Sequence, residues 1–453
     1  MKPSSAISGV PKEIASPFTF SILELIMAQM HEIKGWCPTA YRPMATGDGL
    51  LLRLTPKRIG LSPQQLVAIA ETSLEFGNGQ IDLTQRANLQ IRGIDPDHYS
   101  KALTSLIKRG LLGSEEASEY PANILISPLS SLEKNTRLTA RGLADELNKL
   151  LLQNKLTEYL PSKFLFCIND CTRLSLYSVK SDILIDLSEE GKTSLILAND
   201  YQNPIFIEHQ DCLASVIELI KRFLELSKQN NFIFRRMHSL IEKIGINAFL
   251  KPLNLKTTLL NKEFKPKKDA YLGLISFNDN HFIGVSGPSG AWKAEQLRSF
   301  AQILVQHKFQ NLQLTPWRSF LIPIYDFRQR LRLLEEINQL NLITRQDDPR
   351  LALIACPGAP KCSQAYGNTE EVLEKFSSYA SFFSSPKEII VHISGCTKGC
   401  VKGDPTPLTI TLTDQGYNLI KNGRADNKAL YQSRTLDELD HYVKNNLNIL
   451  EPL

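Results

Sequence analysis

Apolar and polar positions along the chain alternate in two periods, two and about 3.6, and the alternation comes in recurring blocks. Leu50 to Leu54 reads as a strand, a loop follows, a helix is expected from Ser62 or Pro63 to about Phe76, and Gln80 to Thr84 supplies the next strand. Laying residues 50 to 92 on residues 281 to 323 without a gap repeats the order: Phe282 to Val285 as strand, a helix from about Lys293 to His307, Asn311 to Thr315 as strand. Gln65-Leu66 then falls on Gln296-Leu297, Ala70 on Ala301, and Leu83-Thr84 on Leu314-Thr315.

The stretches that follow each copy match in outline. Residues 123 to 127 and 351 to 355 are short buried-strand patterns, and Lys163 to Cys171 (KFLFCINDC) matches Glu388 to Cys396 (EIIVHISGC). Each half is therefore expected to be an α+β unit followed by an α/β module, in a duplicated, pseudo-twofold arrangement with a site between the halves. The expected division is an N-terminal extension over 1–34, a first half-domain over 35–120, an α/β module over 121–250, a Lys- and Pro-containing linker over 251–269, a second half-domain over 270–340 and a second α/β module over 341–453.

At 453 residues the chain is long enough for more than one cored unit, and 42% apolar with 22% charged residues is an ordinary globular mixture. A formal charge of +5 spread over this length does not call for a nucleic-acid partner. No run of 18 apolar residues occurs, and the apolar patch Phe18 to Met27 is interrupted by Glu24 without a basic start or a small-residue cleavage pattern. The expectation is a cytoplasmic protein that neither crosses nor binds a membrane.

Eight cysteines, at 37, 167, 171, 212, 356, 362, 396 and 400, are too sparse for a disulfide scaffold. Cys356 and Cys362 form C-x5-C, and after 33 residues Cys396 and Cys400 form C-x3-C; both pairs follow expected strands, where α/β architectures place their sites. Pro357 and Pro360 stiffen the first loop, while Gly358, Gly395 and Gly399 let backbone N–H groups approach sulfur. Four thiolates on one point need a metal, and Lys361, Lys398 and Lys402 offset the remaining charge. A five-residue gap suits a 4Fe-4S cluster better than a zinc knuckle, with zinc and unliganded cysteines as the rival readings. Cys167 and Cys171 repeat the second spacing, but Cys167 aligns with His392 inside a strand and the first half has no C-x5-C, so these two are expected to be core cysteines. Cys37, in a turn beside Trp36, is read as structural, and Cys212 carries no signal.

Thr84, Arg86, Asn88, Gln90 and Arg92 fall at every second position and, in an extended segment, would line one face; Arg53 closes the neighbouring strand and Lys163 opens KFLF. A solvated face is the bland alternative, whereas guanidinium groups at a domain junction suit a ligand with several carboxylates. The two cysteine pairs, the Thr-x-Arg-x-Asn-x-Gln segment, an upstream Arg and a Lys-Phe strand together resemble the siroheme-dependent sulfite and nitrite reductase superfamily, over roughly residues 35 to 430. GWCPTAYRPMATGDGLLLRL, DLTQRANLQIRGI, LTPWR, ACPGAPKC and HISGCTKGC are most similar, within it, to the precorrin-3B synthase family.

The resemblance implies two ferredoxin-like half-domains with two α/β modules, and a 4Fe-4S cluster on Cys356, Cys362, Cys396 and Cys400. It also implies tetrapyrrole binding by Arg53, Thr84, Arg86, Asn88, Gln90 and Lys163, with Arg53, Arg86 and Lys163 as candidate catalytic residues. The implied reaction is oxygen-dependent hydroxylation and lactone formation on precorrin-3A, with NADH or a reduced partner protein as donor and a separate mononuclear non-haem iron as a further cofactor. Cys37, His31 and His392 are weak candidates for its ligands. The alternative is a sulfite or nitrite reductase that binds siroheme, and a non-catalytic iron-sulfur or tetrapyrrole carrier is a rival of another class. Reductases continue the Lys-Phe strand with a second Lys, where this chain has Leu165. Gly284, Gly287 and Gly290 have the wrong spacing for a dinucleotide fingerprint. In the second half Arg53 and Arg86 fall on Gly284 and Trp317, with Arg318 beside it, so the duplicate site is expected to be structural.

Overall fold

Ser62 starts the first helix by accepting from the Gln65 N–H while the Gln65 side chain accepts from the Ser62 N–H, a reciprocal cap with Pro63 behind it. From there Leu66, Ile69, Ala70 and Ser73 recur at helical spacing and are buried, so this helix packs one face inward. The structure is a computed structural model that describes residues 37–56, 60–113, 123–130, 140–170, 173–187, 193–229, 234–260, 269–277, 279–379 and 390–447.

The first half contains β1 (Met44–Thr46), β2 (Gly49–Leu54), α1 (Pro63–Phe76), β3 (Gln80–Leu83), β4 (Leu89–Ile94) and α2 (Tyr99–Lys108), then β5 (Ile124–Ile126), α3 (Ala140–Gln153), β6 (Phe166–Asn169), β7 (Ile183–Asp186), β8 (Thr193–Leu197), β9 (Ile205–Ile207), α4 (Cys212–Gln229), α5 (Met237–Ile244) and α6 (Ile246–Leu250). The second contains β10 (Gly273–Phe277), β11 (Asn280–Ser286), β12 (Ala291–Lys293), α7 (Ala294–Gln306), β13 (Gln313–Leu314), β14 (Ser319–Ile324) and α8 (Arg330–Asn338), then β15 (Leu353–Ala355), α9 (Thr369–Ser377), β16 (Val391–Ser394), β17 (Thr406–Thr413), β18 (Gly416–Gly423), β19 (Tyr431–Ser433) and α10 (Leu436–Asn445).

The duplication read from the sequence is borne out element by element. Arg53 pairs with Gln90 between β2 and β4, and their counterparts Gly284 and Leu321 pair between β11 and β14. The halves exchange strands across the pseudo-twofold: Trp292 of β12 pairs with Ile81 of β3, and Leu61 makes the matching bridge to Leu312. One apolar core consequently serves both half-domains, running from Leu66, Ile69 and Ile81 to Trp292, Leu297 and Phe320. Each α/β module repeats a five-stranded sheet, β5-β6-β7-β8-β9 and β15-β16-β17-β18-β19, with two parallel pairings followed by two antiparallel ones.

Three local expectations change. The strand expected over 311–315 contracts to β13, because Leu312 bridges to Leu61 instead. Lys163 lies in a turn ahead of β6 rather than in the strand. The expected linker opens as a 3-10 turn at Lys251–Leu253 and is then pinned by hydrogen bonds from Thr258 to Pro204 and from Leu260 to Gln202; residues 261–268, like the extension over 1–34, lie outside the described residues. No helix among the described residues is long and apolar enough to cross a membrane.

Candidate functional site

Parallel strands β15 and β16 end side by side, and the two cysteine pairs follow them directly. The Cys356 N–H donates to Ile393 O at 3.0 Å, and the Gly395 N–H donates to Cys356 Sγ at 3.0 Å, which stitches one loop to the other. Gly395 has no room for a side chain: a Cβ there would lie 2.7 Å from Ala365 Cβ and 3.4 Å from Cys356 Sγ. Burial pushes the Cys356 thiol up, backbone N–H groups of Gly395 and Gly358 oppose it, and nearby Cys362 and Cys396 add to it. Burial likewise raises Cys400, with Cys396 and Cys362 adding and Lys398 and Lys163 opposing. The four sulfurs thus lie within electrostatic reach of one another, in a donor set made only of thiols. Among the described residues no three His, Cys, Asp or Glu side chains converge as ligands of a single ion. A donor set of four soft thiols is one that an iron-sulfur cluster or a zinc ion can take.

Arg92, 3% exposed on β4, ties this loop to the first half-domain. Its Nε and Nη2 donate to Asp48 at 3.1 Å each, Nη1 lies 3.6 Å from Asp82, and Nη2 also donates to Lys361 O at 2.8 Å. Of the lysines expected to balance the cluster, Lys361 pairs with Glu370, Lys402 with Asp404 and Lys398 with Gln364. Lys163, assigned to the tetrapyrrole, is the cation that joins Lys398 in acting on Cys400.

The other basic residues meet around Cys37. Its thiol lies 3.6 Å from Ser162 O, and burial, which raises it, is outweighed by the charge and hydrogen bond of Arg53, the side-chain hydrogen bond of Ser162 and the charge of Arg86, so it stands below the usual thiol range. Arg86 Nη2 donates to Lys163 O at 2.7 Å. With the Gln90 amide oxygen turned inward, Arg53 Nε and Nη2 donate to it at 3.2 and 2.8 Å. Arg236, missed in the sequence because it lies far along the chain, stands near Arg86 and is held by Asp182 at 2.9 Å. Burial holds Arg86 below the usual arginine range, Cys37 and Asp182 opposing and Arg236 and Arg53 adding, so three arginines gather around one carboxylate next to Lys163, which bears on Cys400.

The extended polar face expected over Thr84 to Arg92 does not form. Residues 84–88 are a tight turn between β3 and β4, in which Thr84 Oγ1 accepts from the Arg86 and Asn88 N–H groups at 3.3 and 3.1 Å and Ala87 has a positive φ of 52°. The turn brings the Arg86 guanidinium to Lys163 O and leaves Asn88 buried, so Thr84 and Asn88 shape the turn while Arg53, held by Gln90, and Arg86 gather beside Cys37. Of the weak iron-ligand candidates, His392 is wholly buried within β16, Cys37 is paired as above, and His31 lies outside the described residues. Cys167 is buried in a core as expected, Cys212, which carried no signal in the sequence, is buried as well, and Cys171 is outside the described residues.

Residues 42–108, β1 to α2, match the family model of the nitrite/sulfite reductase ferredoxin-like half domain. The chain is similar to a precorrin-3B synthase of a Sinorhizobium species, 24% identical over 414 residues that cover 87% of this chain and 84% of the relative. It is also similar to a ferredoxin–nitrite reductase of Synechococcus elongatus, 25% identical over 434 residues that cover 87% of this chain and 81% of the relative. The solved structure of the Mycobacterium tuberculosis NirA protein superposes with a TM-score of 0.67 at 17% identity, over 88% of this chain and 80% of that one. The fold is that of the nitrite and sulfite reductases.

In this duplicated reductase fold, the second half-domain repeats the turn without the site. Thr315 Oγ1 accepts from the Trp317 and Ser319 N–H groups at 3.2 and 3.4 Å, as Thr84 does for Arg86 and Asn88. Trp317 replaces Arg86, stacks on Tyr271 at 5.3 Å and packs with Leu129, Leu174 and Phe282, while Arg318 turns inward to Ser289 O at 2.8 Å. Apolar packing occupies the place where the first half gathers cations.

Proposed function

We propose that the chain is an oxidoreductase of the precorrin-3B synthase type, hydroxylating precorrin-3A at C20 with dioxygen while a ring A acetate closes a lactone. The observation that carries this reading is the contiguity of the two constellations, since Lys163 bears on Cys400 while its own carbonyl is gripped by Arg86 beside Arg53. Arg53, Arg86 and Lys163 pair with carboxylates of the tetrapyrrole, Gln90 fixes the Arg53 guanidinium, and Asp182 holds Arg236 at the rim. Cys356, Cys362, Cys396 and Cys400 hold a 4Fe-4S cluster, which when bound supplies electrons one at a time. NADH or a reduced electron-transfer protein provides the two electrons that, with two protons, turn the second oxygen atom of dioxygen into water. Residues 1–34 and 251–269 are read as extension and linker around the four structural parts, and the protein as cytoplasmic.

Leu165 favours this reading over a siroheme-dependent sulfite or nitrite reductase. It is buried against Leu125, Leu176 and Ala87, so an apolar contact stands where the reductases have a second Lys. Similarity to ferredoxin–nitrite reductases keeps that activity as the second reading.

The test is the optical spectrum with iron, sulfide and tetrapyrrole content of anaerobically purified protein. Cluster with no siroheme, or with a removable precorrin, is expected; stoichiometric siroheme supports the reductase, and a cluster without turnover of either substrate supports a carrier. Cys362→Ser or Cys396→Ser should abolish the brown absorbance and lower solubility, whereas Cys212→Ser should leave both unchanged. Equal loss in Cys167→Ser would show the ligand set to be wrong.

A further inference from the structure

His392 is wholly buried in β16, and neither ring nitrogen has a partner among the described residues. Val391 and Ile393, its neighbours along the strand, lie in the module's apolar core, so alternation places His392 on the opposite face. There it lies under the second cysteine loop: a Cβ added to Gly399 would come 3.7 Å from His392 Cε1.

The polar groups around it are committed elsewhere. Thr409, its register partner on β17, donates to Gly423 O at 2.8 Å and lies 2.6 Å from the Thr406 hydroxyl; Ser394 donates to Cys396 O at 2.7 Å; and Ile354, its partner on β15, is apolar. Lys402 pairs with Asp404 and can only donate, so it offers the ring no acceptor. In either protonation state the buried imidazole carries at least one N–H that needs an acceptor.

We infer that His392 is a positioning residue for the iron-sulfur group, donating its ring N–H to a sulfur held by the Cys396–Cys400 loop. The inference rests on the cluster reading above. A hydrogen bond to sulfur stabilises the more negative, reduced cluster and raises its reduction potential. The corresponding residue of the first half, Cys167, is buried in a core beside a module without the C-x5-C pair, so the imidazole is specific to the half that carries the thiols.

The experiment uses anaerobically purified full-length protein labelled with nitrogen-15 only in histidine, its cluster reduced and its nitrogen couplings read by pulsed electron paramagnetic resonance. A histidine nitrogen coupling is expected in the wild type and should vanish in His392→Leu. Redox titration should give His392→Leu a more negative potential than the wild type, with His392→Gln, which keeps an N–H donor, in between. A cluster without histidine coupling, or with the same potential in the wild type and His392→Leu, overturns the inference and leaves the cluster standing. Wild-type protein without iron and sulfide overturns both. The labelled wild type decides the matter even where His392→Leu fails to fold.

Discussion

Burial drives Cys167 and Cys212 up to about 12, whereas the Arg53 and Arg86 charges more than offset burial at Cys37. The thiolate is the reactive form, so iodoacetamide at pH 8 should label Cys37 well ahead of the other two, with a rate that levels off at lower pH than for a free thiol. Peptide mass mapping reads this, and equal labelling of Cys37 and Cys167 contradicts it. Arg86→Ala should weaken tetrapyrrole binding by about 1.5–3 kcal/mol, the range for a hydrogen bond to a charged group, and Arg318→Ala by much less. Titration calorimetry compares them, and equal affinities would mean that the halves are not asymmetric. The gathering of Cys356, Cys362, Cys396 and Cys400 was legible in the sequence because their spacing is local to two loops. Arg236 was not, because only the packing of its segment against Asp182 brings it near Arg86.

Strand β4 and the first cysteine loop depend on one side chain. Arg92→Leu leaves the buried Asp48 without its cation and the Lys361 carbonyl without its donor, a loss of about 3–5 kcal/mol for a broken buried pair. Urea unfolding measures it, and a loss below about 1 kcal/mol would place the anchoring elsewhere. Helices α1 and α7 and the strands that flank them, β2, β3 and β11, could be read from periodicity, since their apolar faces are regular. The polar alternation from Thr84 to Asn88 misled because period two also arises by chance in a short turn; there the Thr84 side chain, accepting from two backbone N–H groups, sets the conformation. The matching Thr315 turn, at the same place in the repeat, held the clue.

Across the whole molecule, duplication supplies two equivalent frames, and only the first gathers cations at the turn. The first half-domain grips the cysteine loops of the second α/β module through Arg92 and through Gly47, whose absent side chain leaves room for Pro360 O. The second half-domain meets the first module through Trp317, Tyr271 and Leu174 instead. Loss of cations from the repeat was visible in the sequence; the exchange of β12 and Leu61 between sheets was not, because pairing partners so far apart leave no local signal. Turnover of precorrin-3A with an electron source and isotopically labelled dioxygen tests the account most directly. It predicts a product with one labelled oxygen atom, no turnover without oxygen, and no comparable electron consumption with sulfite or nitrite. Anaerobic reduction of sulfite or nitrite by protein holding stoichiometric siroheme would contradict it.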